Sequence, residues 1–163
     1  MSVFDTRRVV MDIETIGVLW DDLAPEEQAY CTSHARGGED EAATKLALNP
    51  LTGNVVAIGL LNPDSGRGKI HLWAPFLLVP GTYSVDEFEG TSPCAVHVHA
   101  FEADMLRVFW GEIKKYHQVI TFNGRSFDAP FLNTRSMALD VADPRSLTAW
   151  GVLVIGLVDN LLR

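Results

Sequence analysis

The chain has 163 residues, 47% of them apolar, with 13 Lys and Arg against 21 Asp and Glu, a formal charge of −8. This size and composition suit one folded domain and exclude a disordered, collagen-like or low-complexity chain. The acidic balance also excludes coating of nucleic acid by charge alone, which needs Lys and Arg on phosphates, but not an enzyme that grips nucleic acid through metal ions.

The first eight residues, Met1 to Arg8, contain no apolar core of a secretory signal. The longest apolar run, Gly151 to Val158, falls far short of the roughly 20 residues that cross a bilayer. Cys31 and Cys94 sit in no Cys-x-x-Cys pattern. A reducing cytoplasm, with no membrane contact, is the expected setting.

Arg7 to Ile13 reads as a buried strand, since Val9, Val10, Met11 and Ile13 are apolar and three of them β-branched. From Asp21 the character changes. Asp21-Asp22-Leu-Ala-Pro-Glu-Glu-Gln predicts a helix start with Asp22 or Leu23 near the cap and Pro25 in the first turn. Arg36 to Glu41 reads as an exposed loop. Charge concentrates here, with 10 acids and 4 bases in residues 1–48 against 11 and 9 in the remainder. A helix-and-loop insertion over about 21–48, within one domain spanning 1–163, is therefore expected.

Asn54 to Leu61 and Lys69 to Trp73 are apolar strands, and the turn-rich stretch from Asn62 to Gly68 suits an antiparallel hairpin. Pro80 to Pro93 reads as a loop. Between Glu102 and Tyr116, the residues Met105, Leu106, Phe109, Trp110 and Ile113 fall on one helical stripe. Val119 to Phe122 is a short strand. Asp128 to Leu139 predicts a helix with Pro130 in its first turn, and Val152 to Val158 a fifth strand. The order is an α/β layout with a mixed sheet flanked by helices.

Two acidic blocks carry the chemistry. Asp12 and Glu14 stand at i and i+2 of the first strand, so their carboxylates share a face while Met11 and Ile13 point the other way. Such a pair is either a hydrated strand end or a site for a hard divalent cation, which prefers carboxylate oxygen. The second block runs Thr121-Phe-Asn123-Gly124-Arg-Ser-Phe127-Asp128-Ala-Pro130. Here a strand meets an Asn-Gly turn and Asp128 sits where a helix begins. That aspartate can cap the helix, complete a metal site, or do both.

Together, Asp12-x-Glu14-Thr and Phe122-Asn123-Gly124…Phe127-Asp128-x-Pro130-Phe131-Leu132 resemble the first two motifs of the DEDD (DnaQ-like) 3′–5′ exonucleases. The likeness is to the bacterial branch similar to the proofreading domain of family-B DNA polymerases, and Pro50 to Leu60 shares it. The resemblance runs from about Arg7 to Leu139. It implies a ribonuclease H-like fold and hydrolysis of phosphodiesters at a single-stranded nucleic-acid 3′ end. Two Mg²⁺ or Mn²⁺ ions, ~3.5–4 Å apart in such sites, would supply the chemistry. Asp12 would bridge both ions, Glu14 would bind one and Asp128 the other. Thr15, Ile16 and Gly17 would line the pocket for the terminal nucleotide, Asn123 would position the strand, and Phe127 would pack.

The pattern breaks at one point. The family carries a fourth acid on a later helix, four residues after a Tyr or His. After Asp128 this chain has only Asp140, Asp143 and Asp159, preceded at that spacing by Ser136, Leu139 and Ile155. No Tyr or His follows His117. The sequence therefore reads as short of the family's last helices. Weak metal binding, poor or absent hydrolysis, and either a catalytically defective nucleic-acid-binding or regulatory module or an inactive truncated product are the expectations that follow. An uncovered C-terminal strand would favour self-association or a protein partner.

Other residues have a structural or a functional reading. His97 and His99 share a face at strand spacing, as packing histidines or as metal ligands lacking a third partner nearby in sequence. Trp73, Trp110 and Trp150 read as core rather than base-stacking platforms. Arg125, Arg135 and Arg145 flank the second block and are either solvated or aimed at phosphates.

Overall fold

A computed structural model of the protein describes residues 7–74, 79–85, 94–141 and 153–156. Seven strands form one mixed sheet: β1 (Arg8–Gly17), β2 (Gly53–Leu61), β3 (Gly68–Trp73), β4 (Gly81–Val85), β5 (Cys94–His99), β6 (Gln118–Thr121) and β7 (Leu153–Gly156). Their spatial order is β4-β5-β3-β2-β1-β6-β7. The antiparallel pairs are β1/β2, β2/β3 and β4/β5, and β1/β6, β3/β5 and β6/β7 run parallel. Four helices accompany it among the described residues: α1 (Pro25–Ser33), α2 (Gly38–Lys45), α3 (Glu102–Ile113) and α4 (Asp128–Ala138). The protein is α/β with a ribonuclease H-like sheet, as the sequence predicts.

Strand alternation sorts β1 into two faces. Val9, Met11 and Ile13 are buried, and they pack with Ile58 and Leu60 of β2 against the α3 stripe of Met105, Leu106, Phe109, Trp110 and Ile113. Phe131 and Leu132 of α4 join the same core. The opposite face carries Val10, Asp12 and Glu14. The parity follows from the two-residue repeat of a strand, and it leaves both acids exposed.

Several elements differ in detail from expectation. Residues 38–41, read as loop, open α2 with Glu39, Asp40 and Glu41 in its first turn. Acidic side chains there meet the positive end of the helix dipole, which offsets the two poor helix formers Gly37 and Gly38 before them. α1 begins at Pro25 with Ala24 as its cap residue, not Asp22 or Leu23; the Glu27 carboxylate accepts the Ala24 N–H at 2.9 Å. Within Pro80 to Pro93, read as loop, Gly81–Val85 is an edge strand held by β5 alone, and residues 86–93 lie outside those described. Of Val152 to Val158, Leu153–Gly156 forms β7 beside β6. The rest, Trp150, and the region where the family's last helices would stand lie outside the described residues.

α4 stops through its backbone. Asp140 takes a positive φ of 51°, so its N–H reaches Met137 O and the Val141 N–H reaches Ser136 O. The buried Val141 seals this C-terminal turn against the core. Trp73 and Trp110 belong to the core, as expected, and the Trp110 indole N–H donates to Ser136 Oγ at 2.8 Å. No helix among the described residues is long and apolar enough to cross a membrane.

One buried ion pair ties these layers together. Glu102, at the first turn of α3, receives Arg135 of α4 at 2.9 Å and 2.8 Å, and its Oε1 also accepts the Val55 N–H of β2 at 2.7 Å. Arg135 Nη2 continues to Asn54 Oδ1 at 2.5 Å. Arg135 is therefore committed inside the fold and is not a phosphate contact. Removing one partner of a buried pair leaves the other charge uncompensated, so Arg135→Ala is expected to cost about 3 kcal/mol or more in a urea titration. Val108→Ala, on the exposed side of α3, is expected to stay within about 0.5 kcal/mol.

Candidate active site

β1 and the β6–α4 connection meet at one end of the sheet. β1 pairs with β6 only over Arg8 to Val10, with Val10 opposite Ile120. Asp12 to Glu14 thus run on past the pairing with β6, and the space beside them is taken by the turn that leads into α4. That turn is tight because of Gly124. Its N–H donates to Thr121 Oγ1 at 2.9 Å, and a Cβ on Gly124 would stand 2.0 Å from that oxygen. Only glycine lets the chain pass so close. Asn123 O then accepts from Ser126 and Phe127, and Gly124 O accepts from Ala129, which sets Asp128 as the first residue of α4.

Asp128 is not the cap residue. Phe127 holds that position and no side chain caps the helix. The Asp128 carboxyl is instead buried, 3% exposed, and it accepts a hydrogen bond from the Ile13 backbone N–H. Burial pushes its pKa above the ordinary aspartate value, and the Asp12 charge pushes it further the same way. Two carboxylates from separate elements therefore sense one another at the end of β1. Like charges converging on a desolvated spot resemble a place made for a cation.

The other expected site residues divide. Glu14 is exposed on the face of Asp12, opposite Ala57. Among the described residues no group of three or more His, Cys, Asp or Glu side chains is arranged to hold a metal ion. Asp12 with Asp128 fits a divalent cation by donor chemistry, and the complete set of three is not assembled. Thr15 donates its hydroxyl to Ala47 O at 2.8 Å, and a Cβ on Gly17 would stand 2.8 Å from Leu46 Cβ. Both are packed on the 46–48 turn, whereas Ile16 is 55% exposed. Asn123 is exposed at the turn. Phe127 packs against the core, with its ring 5.4 Å from that of Phe131.

Phe122 is a residue that the motif alone leaves without a role. It stands two positions beyond Ile120, the register partner of Val10, and is 64% exposed. An aromatic ring open to solvent on the turn that leads to Asp128 is suited to stacking on a base. The signal was present in the sequence as an aromatic at a strand end just before Asn-Gly, but its exposure was not. On the same face an open groove of about 420 Å³ runs up to Asp12, lined by Val10, Leu61, Gly68, Ile70 and Cys94 among others.

Residues 80–150 match the model of a family described as a predicted 3′–5′ exonuclease related to the exonuclease domain of PolB. The match takes in Asn123, Gly124 and Asp128, is consistent with the DEDD (DnaQ-like) superfamily, and does not reach Asp12 or Glu14. No curated protein matches the chain.

The raised pKa of Asp128 has a stability consequence. A carboxyl whose folded pKa lies above its unfolded one destabilises the fold once ionised, and stability recovers as pH falls through the folded value. Asp128→Asn keeps an oxygen for the Ile13 N–H and removes the charge. Thermal unfolding in chelator at neutral pH is expected to show this variant stabilised by about 1 kcal/mol, with the difference shrinking toward acid pH.

Proposed function

We propose that the chain is a metal-dependent 3′–5′ exonuclease-like domain that receives a single-stranded nucleic-acid 3′ end where β1 runs past β6. The observation that supports it best is the buried Asp128 carboxyl held against Ile13 and within reach of the Asp12 charge. The family matched by residues 80–150 supports a nuclease-like, hydrolytic activity.

In this reading Asp12, Glu14 and Asp128 hold Mg²⁺ or Mn²⁺. Such ions, when bound, would supply the activation of a water and the stabilisation of the departing 3′ oxygen. The chain's own residues bind and orient. Asp128 is fixed by the Ile13 N–H and by the first turn of α4, so it contributes a preset oxygen rather than a mobile one. Ile16 offers an apolar edge to the terminal nucleotide, Phe122 stacks on a base, and Asn123 directs the strand past the turn. The net charge of −8 leaves little non-specific attraction for the backbone, so binding relies on the ions and on stacking.

A second reading, a binding or regulatory module without catalysis, is supported by the unassembled set of three among the described residues. Isothermal titration of Mn²⁺ and digestion of a 3′-labelled oligonucleotide separate the two. The first reading expects metal binding that is lost in Asp128→Ala, with metal-dependent shortening from the 3′ end that is lost in Asp12→Ala. Oligonucleotide binding without carboxylate-dependent metal binding or cleavage selects the second. In both, Phe122→Ala is expected to weaken single-strand binding about tenfold or more, the usual cost of one base–aromatic stack.

The outer edge of β7 has no strand neighbour among the described residues. An open strand edge there would pair with a second copy or another protein. Light scattering across concentration would show mass rising above the monomer.

A further inference from the structure

On the helix-covered face, opposite Asp12 and Glu14, the sheet holds a line of ionisable side chains. Ile13 of β1 faces Ile58 of β2, which faces His71 of β3, which faces His97 of β5. His71 is buried, 1% exposed, yet neither ring nitrogen is unsatisfied. Nε2 lies 3.0 Å from Glu112 Oε2 on α3, and Nδ1 lies 3.2 Å from His99 Nε2 on β5. The second Glu112 oxygen receives Lys69 Nζ at 2.5 Å. The His97 ring stacks on His71 at 5.5 Å, with its Nδ1 3.0 Å from Thr82 Oγ1 on β4.

Hydrogen-bond chemistry fixes the proton positions. An ionised carboxylate only accepts, so His71 must carry its proton on Nε2. Neutral His71 then has an acceptor at Nδ1, and the His99 Nε2–H donates to it. The result is a directed chain from His99 through His71 to Glu112. A further proton on His71 would enter at Nδ1 and confront the His99 N–H, so it has no place unless His99 gives up its donor role. Protonation of both rings would set two cations 3.2 Å apart.

We propose that the Glu112–His71–His99 chain is a pH-sensitive latch that holds the end of α3 on β3 and β5 while both imidazoles are neutral, and that acid opens it. The groups facing it agree. Lys69 of β3 and His97 of β5 add positive charge, and Glu112 and Asp104 of α3 oppose it, with the Tyr116 hydroxyl nearby. At His71 burial, helped by His99 and Lys69, outweighs the bond and charge of Glu112, and at His99 burial, helped by His97, outweighs Asp104, so both rings are held below the ordinary histidine pKa. Burial would raise Glu112, but its bonds and charges from Lys69 and His71 win and hold it below the ordinary carboxylate value.

The sign follows. With folded pKa values below the unfolded one, the unfolded chain takes up protons first as pH falls. Stability is therefore intact above about pH 6.5 and is lost progressively below it. Glu112 titrates in a separate, more acidic window.

Thermal unfolding of the full chain between pH 7.5 and 5.5, with long-range ¹H–¹⁵N NMR of the histidine rings, tests the latch. Wild type should lose roughly 3 °C in Tm per pH unit below 6.5 for each proton excluded. His99→Gln keeps an amide donor for His71 Nδ1 but cannot titrate, and should show about half that slope. His34→Gln, at an exposed position beyond α1, should match wild type. At pH 7.5 His71 should appear as the Nε2–H tautomer. Equal slopes for wild type and His99→Gln, or a proton on His71 Nδ1, would overturn the proposal. Should His99→Gln fail to fold, the wild-type tautomer still decides.

Discussion

The Glu102–Arg135 pair is the constraint on which the architecture leans. It joins α3 to α4 and both to the first residues of β2, because Glu102 accepts from Arg135 and from the Val55 N–H together. A charge pair so enclosed gains little net energy over an apolar contact, but it tolerates few alternative arrangements. Its geometry sets where α4 lies along the sheet, and the start of α4 carries Asp128. The Trp110–Ser136 bond joins the same two helices about two turns further along α3. The position of an acid at the end of β1 is thus decided by a salt bridge buried elsewhere in the core.

That placement carries a cost in stability. Asp128 is desolvated and faced by Asp12, and hydrogen bonds from its own backbone N–H and from the Ile13 N–H only partly offset the burial of its charge. A protein optimised for stability alone would place an amide or an apolar group there. Retaining a carboxyl in such a spot is the usual mark of a site whose occupant brings the opposite charge. The two ends of the helix layer differ in this respect. At Glu102 the buried charge has its counterion within the chain, whereas at Asp128 the charge that acts on the carboxyl, Asp12, is of the same sign.

The sheet also separates two kinds of chemistry by strand parity. Odd-numbered positions of β1 from Val9 to Ile13 turn toward α3 and α4, along with His71 and its partners two strands away. Asp12 and Glu14 turn to the open face with the groove. One residue of register slip would exchange the two sets and bury the acids in the core. The hairpin β2–β3 and the long β1–β2 pairing guard against this, with the single irregularity placed after Glu14.

Much of this was legible in the chain itself. Alternation in 8–14 gave both the strand and the shared face of Asp12 and Glu14, and the stripe from Met105 to Ile113 gave α3 and its buried side. These are local signals, since period and parity act within one element. What local pattern lacked was partnership. Gly81–Val85 reads as a loop because its pairing comes from β5, Asp128 reads as a cap, a metal ligand or both because its bond from Ile13 is invisible locally, and Arg135 reads as solvated or aimed at phosphates because Glu102 is 33 residues away. His97 and His99 showed no partner in sequence, whereas in space His71 stacks on the one and hydrogen-bonds the other across the strand pair, without forming a metal-binding group among the described residues. Sequence determined which residues form each element and which face each side chain takes; tertiary structure decided which charges meet, because interaction energies depend on distance in space and on exclusion of water, not on distance along the chain.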